Sequence, residues 1–399
     1  MIVKQKEPIE KNVIIGVFIT KTHAQSLITM NPQFVNSHRY IRYIELAKAN
    51  QHLDVTLYFF TTDDVSFEKK CVMGIYYNHQ DSIWQEKRFP LPHLLYDRGG
   101  GSSKKSRLVI KKFWELGIKN INARHYFDKW DLYARLSKLD TISPHLPFTV
   151  KGDKAINIVQ MLNRYGHVYV KKRRGSCGTG VIRIKKMGPD KFRYYYSYDG
   201  KLFSEIFPKQ DLMKILYHFF AEKPIIIQKP IDLMKKGQCI IDFRSEVQKN
   251  KNGRLIVTGT TARIGRPRSP ISSNTHKEDY YRIENFMKYS MQLDAQKAKA
   301  LQAKINRFLQ TVFRAVEQVY GSFGEMGIDF GLDTQGHLWL IECNSKSAKV
   351  ALYNAFGRKK VRQSFNNTLQ YAKYMAKKQK TIRKVHKLNA CIDNGCSLL

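Results

Sequence analysis

The chain has 399 residues, of which 43% are hydrophobic and 12% are aromatic. This composition supports two or three packed domains and excludes wholesale disorder, a collagen-like chain or a small disulfide-stapled fold. With 69 Lys+Arg against 33 Asp+Glu, the formal net charge is +36. Such a charge favours anionic partners such as nucleotides, nucleic acid or acidic polymers.

Cysteine and hydropathy patterns predict an unexported protein. The six cysteines include no CxxC pair, so we expect free thiols in a reducing compartment. No run of about 18 apolar residues occurs, and the apolar run near the N-terminus is short and lacks a cleavage site. We therefore expect a cytoplasmic protein without a membrane span.

The first part of the chain alternates between strand-like and helix-like patterns. Strands are predicted at Val13–Ile19, Asp54–Thr61 and Leu94–Asp97, and helices at Phe34–Asn50 and Lys105–Leu116. Such alternation is typical of a parallel sheet covered by helices. The sequence therefore predicts a parallel-sheet α/β domain here.

A glycine-rich turn between two predicted strands, Val168–Lys172 and Val181–Lys185, is the first candidate for chemistry. Its candidate phosphate-binding residues are Gly175, Ser176, Gly178 and Gly180. Glycines let backbone N–H groups approach phosphate oxygens, and Lys171 adds positive charge. Taken alone, the segment is a weak indication, and a mobile hairpin that binds no ligand is the commoner case.

The hairpin predicted from Gly327–Leu332 and His337–Cys343 is the second candidate. Glu342 and Asn344 are two residues apart, so their side chains project to one face of a strand. A register that places Asp329 beside them would form an all-oxygen cluster, which suits Mg²⁺. The alternative is a hairpin with one solvated polar face.

Two further patterns also have structural alternatives. The apolar strand Ile225–Gln228 enters a polar turn, as an adenine-binding hinge would, but a core strand leaving its sheet has the same pattern. Arg244 and Arg263 fall on adjacent predicted strands and could converge on a phosphate, or they could be surface arginines. Beyond them, helices are predicted at Asn285–Tyr320 and, with basic character, at Gln363–Lys380.

The order of these motifs resembles the ATP-grasp superfamily. Three segments in particular resemble the YheC/YheD family of endospore coat-associated proteins: 95-LYDRG-99, 122-NARHYFDKWDLY-133 and 340-LIECNSKSAK-349. The resemblance implies an α/β fold with α+β lobes. Its implied parts are an N-terminal α/β pre-ATP-grasp domain (1–125), a small lobe (126–224), a large lobe (225–380) and a basic tail (381–399).

The resemblance also implies roles for individual residues. Lys129 and Lys171 would contact nucleotide phosphates under the glycine-rich loop. The hinge residues at adenine and ribose would be Gln228, Lys229, Ile231 and Asp232. The magnesium ligands would be Asp329, Glu342 and Asn344. Transferred phosphoryl and acyl-phosphate oxygens would be stabilised by Arg244, Arg263 and Asn274.

The implied activity is Mg²⁺-ATP-dependent ligation of a carboxylate to an amine through an acyl phosphate. The substrates are unidentified, with an acidic peptide or polymer as one option, and spore-coat proteins are implied partners. The implied location is the mother-cell cytoplasm, with incorporation into the spore coat. Two alternatives stay open: a coat scaffold that binds ATP without catalysis, and a polyanion-binding protein. No nucleic-acid-binding signature favours nucleic acid as the primary partner.

Overall fold

The computed structural model describes residues 12–99, 103–175, 180–198, 201–272 and 279–393, with side chains described as far as residue 378. The helices are Lys21–Ile28 (α1), Pro32–Val35 (α2), His38–Ala49 (α3), Lys104–Glu115 (α4), Lys129–Leu136 (α5), Ala155–Tyr165 (α6), Leu212–Phe220 (α7), Ile283–Asn285 (α8), Ala295–Tyr320 (α9) and Val350–Asp393 (α10). No helix within these ranges is long and apolar enough to cross a membrane.

The described ranges also contain nineteen strands. They are Val13–Phe18 (β1), Val55–Phe60 (β2), Val65–Ser66 (β3), Cys71–Asn78 (β4), Ile83–Pro90 (β5), Leu94–Asp97 (β6), Lys119–Asn120 (β7), Thr149–Lys151 (β8), His167–Lys172 (β9), Val181–Lys186 (β10), Lys191–Tyr198 (β11), Lys201–Pro208 (β12), Ile225–Gln228 (β13), Lys235–Lys236 (β14), Cys239–Lys249 (β15), Leu255–Ile264 (β16), Asp279–Arg282 (β17), Glu325–Leu332 (β18) and Leu338–Asn344 (β19).

The chain divides into two compact units, one of which comprises Arg124–Val247 and Ile256–Gly357. The other unit contains the N-terminal region, the short segment Gln248–Leu255 and the chain after Gly357. The division into four parts predicted from the sequence remains a prediction.

Sheet A of the N-terminal unit has the order β3-β4-β2-β1-β6-β7, with β5 paired to β4. Strands β1, β2, β6 and β7 are parallel, as predicted. Three further strands, β3, β4 and β5, were not predicted and add antiparallel pairs at the edge of this sheet. The β4–β5 hairpin turns at residues 79–82, and its mixed polar and apolar pattern gave no clear strand signal.

Two predicted helices are interrupted in the structure. The pattern at Phe34–Asn50 forms two helices, because Ser37 accepts a hydrogen bond from Tyr40 N and starts a new helix. The segment predicted as helix from Asn285 contains a π-helical turn, and the long helix α9 begins only at Ala295, after the Asp294 cap. In both segments the apolar spacing continues across a cap that restarts the helix.

Sheet B has the order β12-β11-β10-β9-β13-β8. Helices α6 and α7 cover one face, where Val168, Val170, Ile182, Ile184, Phe192 and Phe207 join the buried core. Alternate residues of the same strands therefore point to the opposite face. That opposite face forms part of the candidate site.

Sheet C has the order β17-β16-β15-β18-β19, with β14 paired to β15. Phe243 and Phe330 stack with ring centroids 5.1 Å apart, and Phe308 of α9 lies against Phe330. The apolar face of sheet C thus packs on α9. The alternate residues of β15 and β18 carry charged side chains on its other face.

The last helix is longer than the predicted basic helix. It runs from Val350 to Asp393 and has non-helical backbone angles at Gly357, where φ is 77°. The boundary between the two units also falls after Gly357. Beyond it, Arg358 and Arg362 each donate to the buried carboxylate of Glu45 in α3, at 2.7 and 2.8 Å.

Candidate functional site

A cavity lies within the second unit, between residues of sheets B and C. It encloses about 910 Å³ of empty space, part of which is open solvent. Its wall includes seven of the residues predicted from the sequence to bind nucleotide, together with Arg263 and two of the predicted metal ligands. These residues are Lys129, Lys171, Gly175, Gly180, Gln228, Lys229, Ile231, Arg263, Asp329 and Glu342.

Lys171 is a partly buried cation with a neutral partner. It lies near the end of β9, and its Nζ donates to Gln228 Oε1 at 2.5 Å. Gln228 in turn donates to Thr149 Oγ1 at 3.1 Å, which fixes its amide. Burial and the nearby charge of Lys129 lower the pKa of Lys171 from 10.5 to about 8. An anion entering the cavity would reverse that shift by pairing with the ammonium group.

Lys129 connects the glycine-rich turn to the predicted metal strand. Asp128 caps α5 by accepting from Trp130 N and Asp131 N, so Lys129 occupies the first helical position. Its Nζ contacts Glu342 Oε1 at 3.0 Å and donates to the carbonyl of Gly175 at 3.1 Å. This lysine is therefore held at the cavity wall by both neighbours.

Asp329 receives two guanidinium groups. Arg244 donates to both of its oxygens at 2.6 Å, and Arg263 Nη2 donates to Oδ1 at 2.8 Å. Arg263 also makes a two-point pair with Asp242, at 2.7 and 2.8 Å. Burial alone would raise the pKa of Asp329, but the two arginines outweigh it and lower that pKa.

The pKa values of Arg244 and Arg263 are both raised. Burial disfavours the charged guanidinium of Arg263, but Asp242 and Asp329 outweigh it and raise its pKa. Arg244 behaves in the same way beside Asp329. Both arginines therefore remain charged in a buried site.

The register of β18 and β19 assembles the predicted oxygen cluster. Asp329 lies opposite Glu342, and Gly327 lies opposite Asn344. Asn344 donates to Asp329 Oδ2 at 2.9 Å. Carboxylate and amide oxygens are the donors that Mg²⁺ prefers, so the donor types fit this ion. An ion bound here would share Asp329 with Arg244.

Gly327 leaves the space that Arg244 occupies. A Cβ at this glycine would lie 3.1 Å from Arg244 Nη1 and 3.2 Å from Ser347. The absence of a side chain on β18 therefore lets an arginine of the neighbouring strand reach Asp329. This glycine was not singled out by the sequence analysis.

The remaining predicted site residues do not line the cavity or lie outside the described residues. Arg244 and Asn344 contact Asp329 without lining the cavity. Asp232 also does not line it; its side chain is 68% exposed, lies 3.4 Å from Lys235 and accepts from Thr334. Predictions for Ser176, Gly178 and Asn274 fall outside the described residues.

Sequence reasoning missed two parts of this charged network. Asp242 pairs with Arg263. The sequence could have indicated this role, because Asp242 lies two residues before Arg244 and so faces the same side of the strand. Lys349 pairs with Glu246 and Glu325 at 3.1 and 2.9 Å, and all three side chains are at most 1% exposed. Of these three residues, only Glu246 could have been found from the sequence, because it lies two residues after Arg244 on the same strand.

Comparisons with known proteins identify the family of this chain. A family model described as YheC/D like ATP-grasp matches residues 117–375, well over half of the chain. Two relatives from Bacillus subtilis (strain 168) are named endospore coat-associated proteins. YheD is 22% identical over 326 residues, covering 80% of this chain and 70% of YheD. YheC is 22% identical over 339 residues, covering 84% of this chain and 92% of YheC.

A solved structure supports the same fold. The D-alanine-D-alanine ligase from Coxiella burnetii aligns with a TM-score of 0.54 at 11% identity, covering 95% of this chain and 99% of the ligase. That similarity concerns the fold, which is the ATP-grasp fold. The chain belongs to the YheC/D-like ATP-grasp family.

Proposed function

We propose that this chain is a Mg²⁺-ATP-dependent ligase that joins a carboxylate to an amine. The observation that carries the proposal is the convergence of Lys129, Lys171 and Arg263 on one cavity whose wall also holds Asp329 and Glu342. Phosphoryl transfer depends on positioning and charge stabilisation, and these side chains supply both.

In the proposed reaction, a substrate carboxylate oxygen attacks the γ-phosphorus of ATP and ADP leaves, which produces an acyl phosphate. The amine then attacks the carbonyl carbon, and phosphate leaves as the C–N bond forms. Lys129 and Lys171 bind phosphate oxygens in the first step. Arg263 and Arg244, aligned by Asp329, stabilise charge on the transferred group.

Three oxygen-bearing side chains, Asp329, Glu342 and Asn344, would hold Mg²⁺. When bound, this ion would supply positive charge to the phosphates. The hinge residues Gln228, Lys229 and Ile231 would face the adenine. Asp232 at the ribose remains part of the proposal, although it would have to leave its present contacts. The glycine-rich turn, with Ser176 and Gly178, would cover the phosphates, and Asn274 would assist at the acceptor side.

Calorimetric titration with ATP, with and without Mg²⁺, tests the site. We expect Mg²⁺-dependent binding to the wild type and its loss in Asp329→Asn/Glu342→Gln. The matched control is Asp153→Asn/Glu284→Gln, which neutralises two exposed carboxylates away from the cavity and should bind like the wild type. No binding of ATP to the folded wild type would overturn the proposal.

Catalysis is tested by ADP release during a screen of acids paired with amines. Release that needs both substrates supports the ligase. A second candidate, a coat scaffold that binds ATP without catalysis, is favoured by the names of YheC and YheD as endospore coat-associated proteins. Those names also support the proposed incorporation into the spore coat. ATP binding without ADP release for any pair would favour this scaffold.

A further inference from the structure

One face of sheet B carries cations and no acid within its six described strands. Arg183 lies opposite Tyr195, and Lys185 lies opposite Arg193, so these four side chains share a face. The strands contain a single acid, Glu205, which is opposite Tyr194 on the other face. Positive charge on this face is therefore not balanced within the sheet.

The basic face is continuous with the wall of the cavity. Tyr169 is the cross-strand partner of Arg183, and Lys171 is that of Val181. Tyr169, Lys171 and Val181 all line the cavity. A ligand on this face would therefore lead directly into the proposed ATP site.

Two observations mark the middle of this face as suited to an anion. The Arg183 guanidinium lies 4.4 Å from the centroid of the Tyr195 ring, a cation–π contact across the strand pair. The Nε of Arg193 is buried and has no hydrogen-bond partner among the described residues. A buried donor without an acceptor calls for an explanation, and a carboxylate would supply the acceptor.

The outer end of the face is apolar. Strand β12 is at the edge of sheet B. Its residues Leu202 and Ile206 are 40% and 48% exposed, and Ile206 is opposite Arg193. An apolar pair beside a basic strip suits a peptide, which has both carboxylates and apolar side chains, better than a nucleic acid backbone.

We propose that this face binds an extended acidic peptide that carries the carboxylate to be activated. The inference rests on the proposed function and names its substrate class. Carboxylates of the peptide pair with Arg183, Lys185 and Arg193, and its apolar side chain packs at β12, on Ile206 or on Leu202 about 13 Å further along the strand. From β9 to β12 there are three strand spacings, or about 14 Å, which an extended peptide spans with roughly four residues.

Fluorescence anisotropy with a labelled hexapeptide of five glutamates and one terminal leucine tests this inference. We expect Lys185→Gln/Arg193→Gln to weaken binding about tenfold, close to 1.4 kcal/mol. The matched control, Lys214→Gln/Lys223→Gln, removes the same charge from exposed lysines in and just after helix α7. It should change affinity less than about twofold, because exposed charges at a distance are screened.

A second pair of measurements tests the apolar end. Leu202→Ser/Ile206→Ser should weaken binding of the leucine-bearing peptide and leave a hexaglutamate unaffected. Equal losses in the Lys214/Lys223 control, or equally tight binding of a single-stranded oligothymidylate, would overturn the inference in favour of non-specific charge attraction.

Calorimetry with ATP separates this inference from the proposed function. Lys185 and Arg193 do not line the cavity, so their double variant should bind Mg²⁺-ATP like the wild type. ATP binding by the wild type without peptide binding would refute the peptide surface alone. Absence of ATP binding would refute the ligase proposal itself.

Discussion

At the scale of single residues, Lys171 shows how burial prepares a group for an anion. Its partner Gln228 is neutral, so the ammonium charge loses water without gaining a carboxylate. The acids on the cavity wall already have cationic partners, as in the pairs Glu342–Lys129 and Asp242–Arg263. Lys171 is therefore the lysine whose charge state should respond most to a bound nucleotide.

We predict that affinity for Mg²⁺-ATP falls as the pH rises through about 8, the lowered pKa of Lys171. Below this pH the ammonium is charged and attracts phosphate; above it the neutral amine does not. If only the protonated form binds, the loss approaches roughly tenfold per pH unit. Calorimetric titration with Mg²⁺-ATP at a series of pH values measures this change in affinity.

The control for this pH profile is Lys171→Arg, whose guanidinium stays charged over the whole range. Its affinity should be flat where that of the wild type falls. A fall of the same size in Lys171→Arg would assign the titration to another group.

At the scale of elements, the loop after β19 is fixed by a buried ionic cluster. Lys349 has a positive φ of 55° and lies between Glu246 of β15 and Glu325 of β18. Ser347 also donates to Glu246. These contacts tie the loop after β19 to the two strands that carry Arg244 and Asp329.

We predict that Lys349→Met lowers the free energy of unfolding by about 3–5 kcal/mol, because it leaves two buried carboxylates without their cation. Chemical denaturation followed by circular dichroism measures the change. Lys299→Met, at an exposed position of α9, is the matched control and should stay within about 0.5 kcal/mol of the wild type. If the two variants are equally stable, the cluster contributes nothing to stability.

At the scale of the whole molecule, the dominant property is the net charge of +36. Many cations are locally paired, including Arg358 and Arg362 at Glu45 in the N-terminal unit. The excess is nevertheless large, and like charges repel more strongly in the compact state than in the unfolded chain.

We predict that the thermal midpoint rises by a few degrees as NaCl increases from about 0.02 to 0.3 M, since salt screens this repulsion. Differential scanning calorimetry measures the shift. Sodium sulfate at equal ionic strength is the control: an equal rise indicates screening, and a much larger one indicates bound anions. A falling midpoint would show that attractive ion pairs outweigh the repulsion.

The amino-acid sequence determined most of the local structure. Apolar runs bounded by turns predicted β1, β6 and β13, and Asp128 caps α5, as its residue type favours. Local patterns work here because strand burial and helix capping depend on neighbouring residues. The same patterns, taken in order, resembled the YheC/YheD family, which the family match confirmed.

Only the tertiary structure decided which charges meet. The family resemblance implied that Arg244 and Arg263 act at a phosphate. Strand pairing brings both to Asp329 and adds Asp242, 21 residues before Arg263. It also buries Lys349 between two glutamates from separate strands. Sheet register and burial set these partnerships, and neither can be read from spacing along a single strand. The basic face of sheet B also depends on strand pairing, because its cations share a surface only when four strands align.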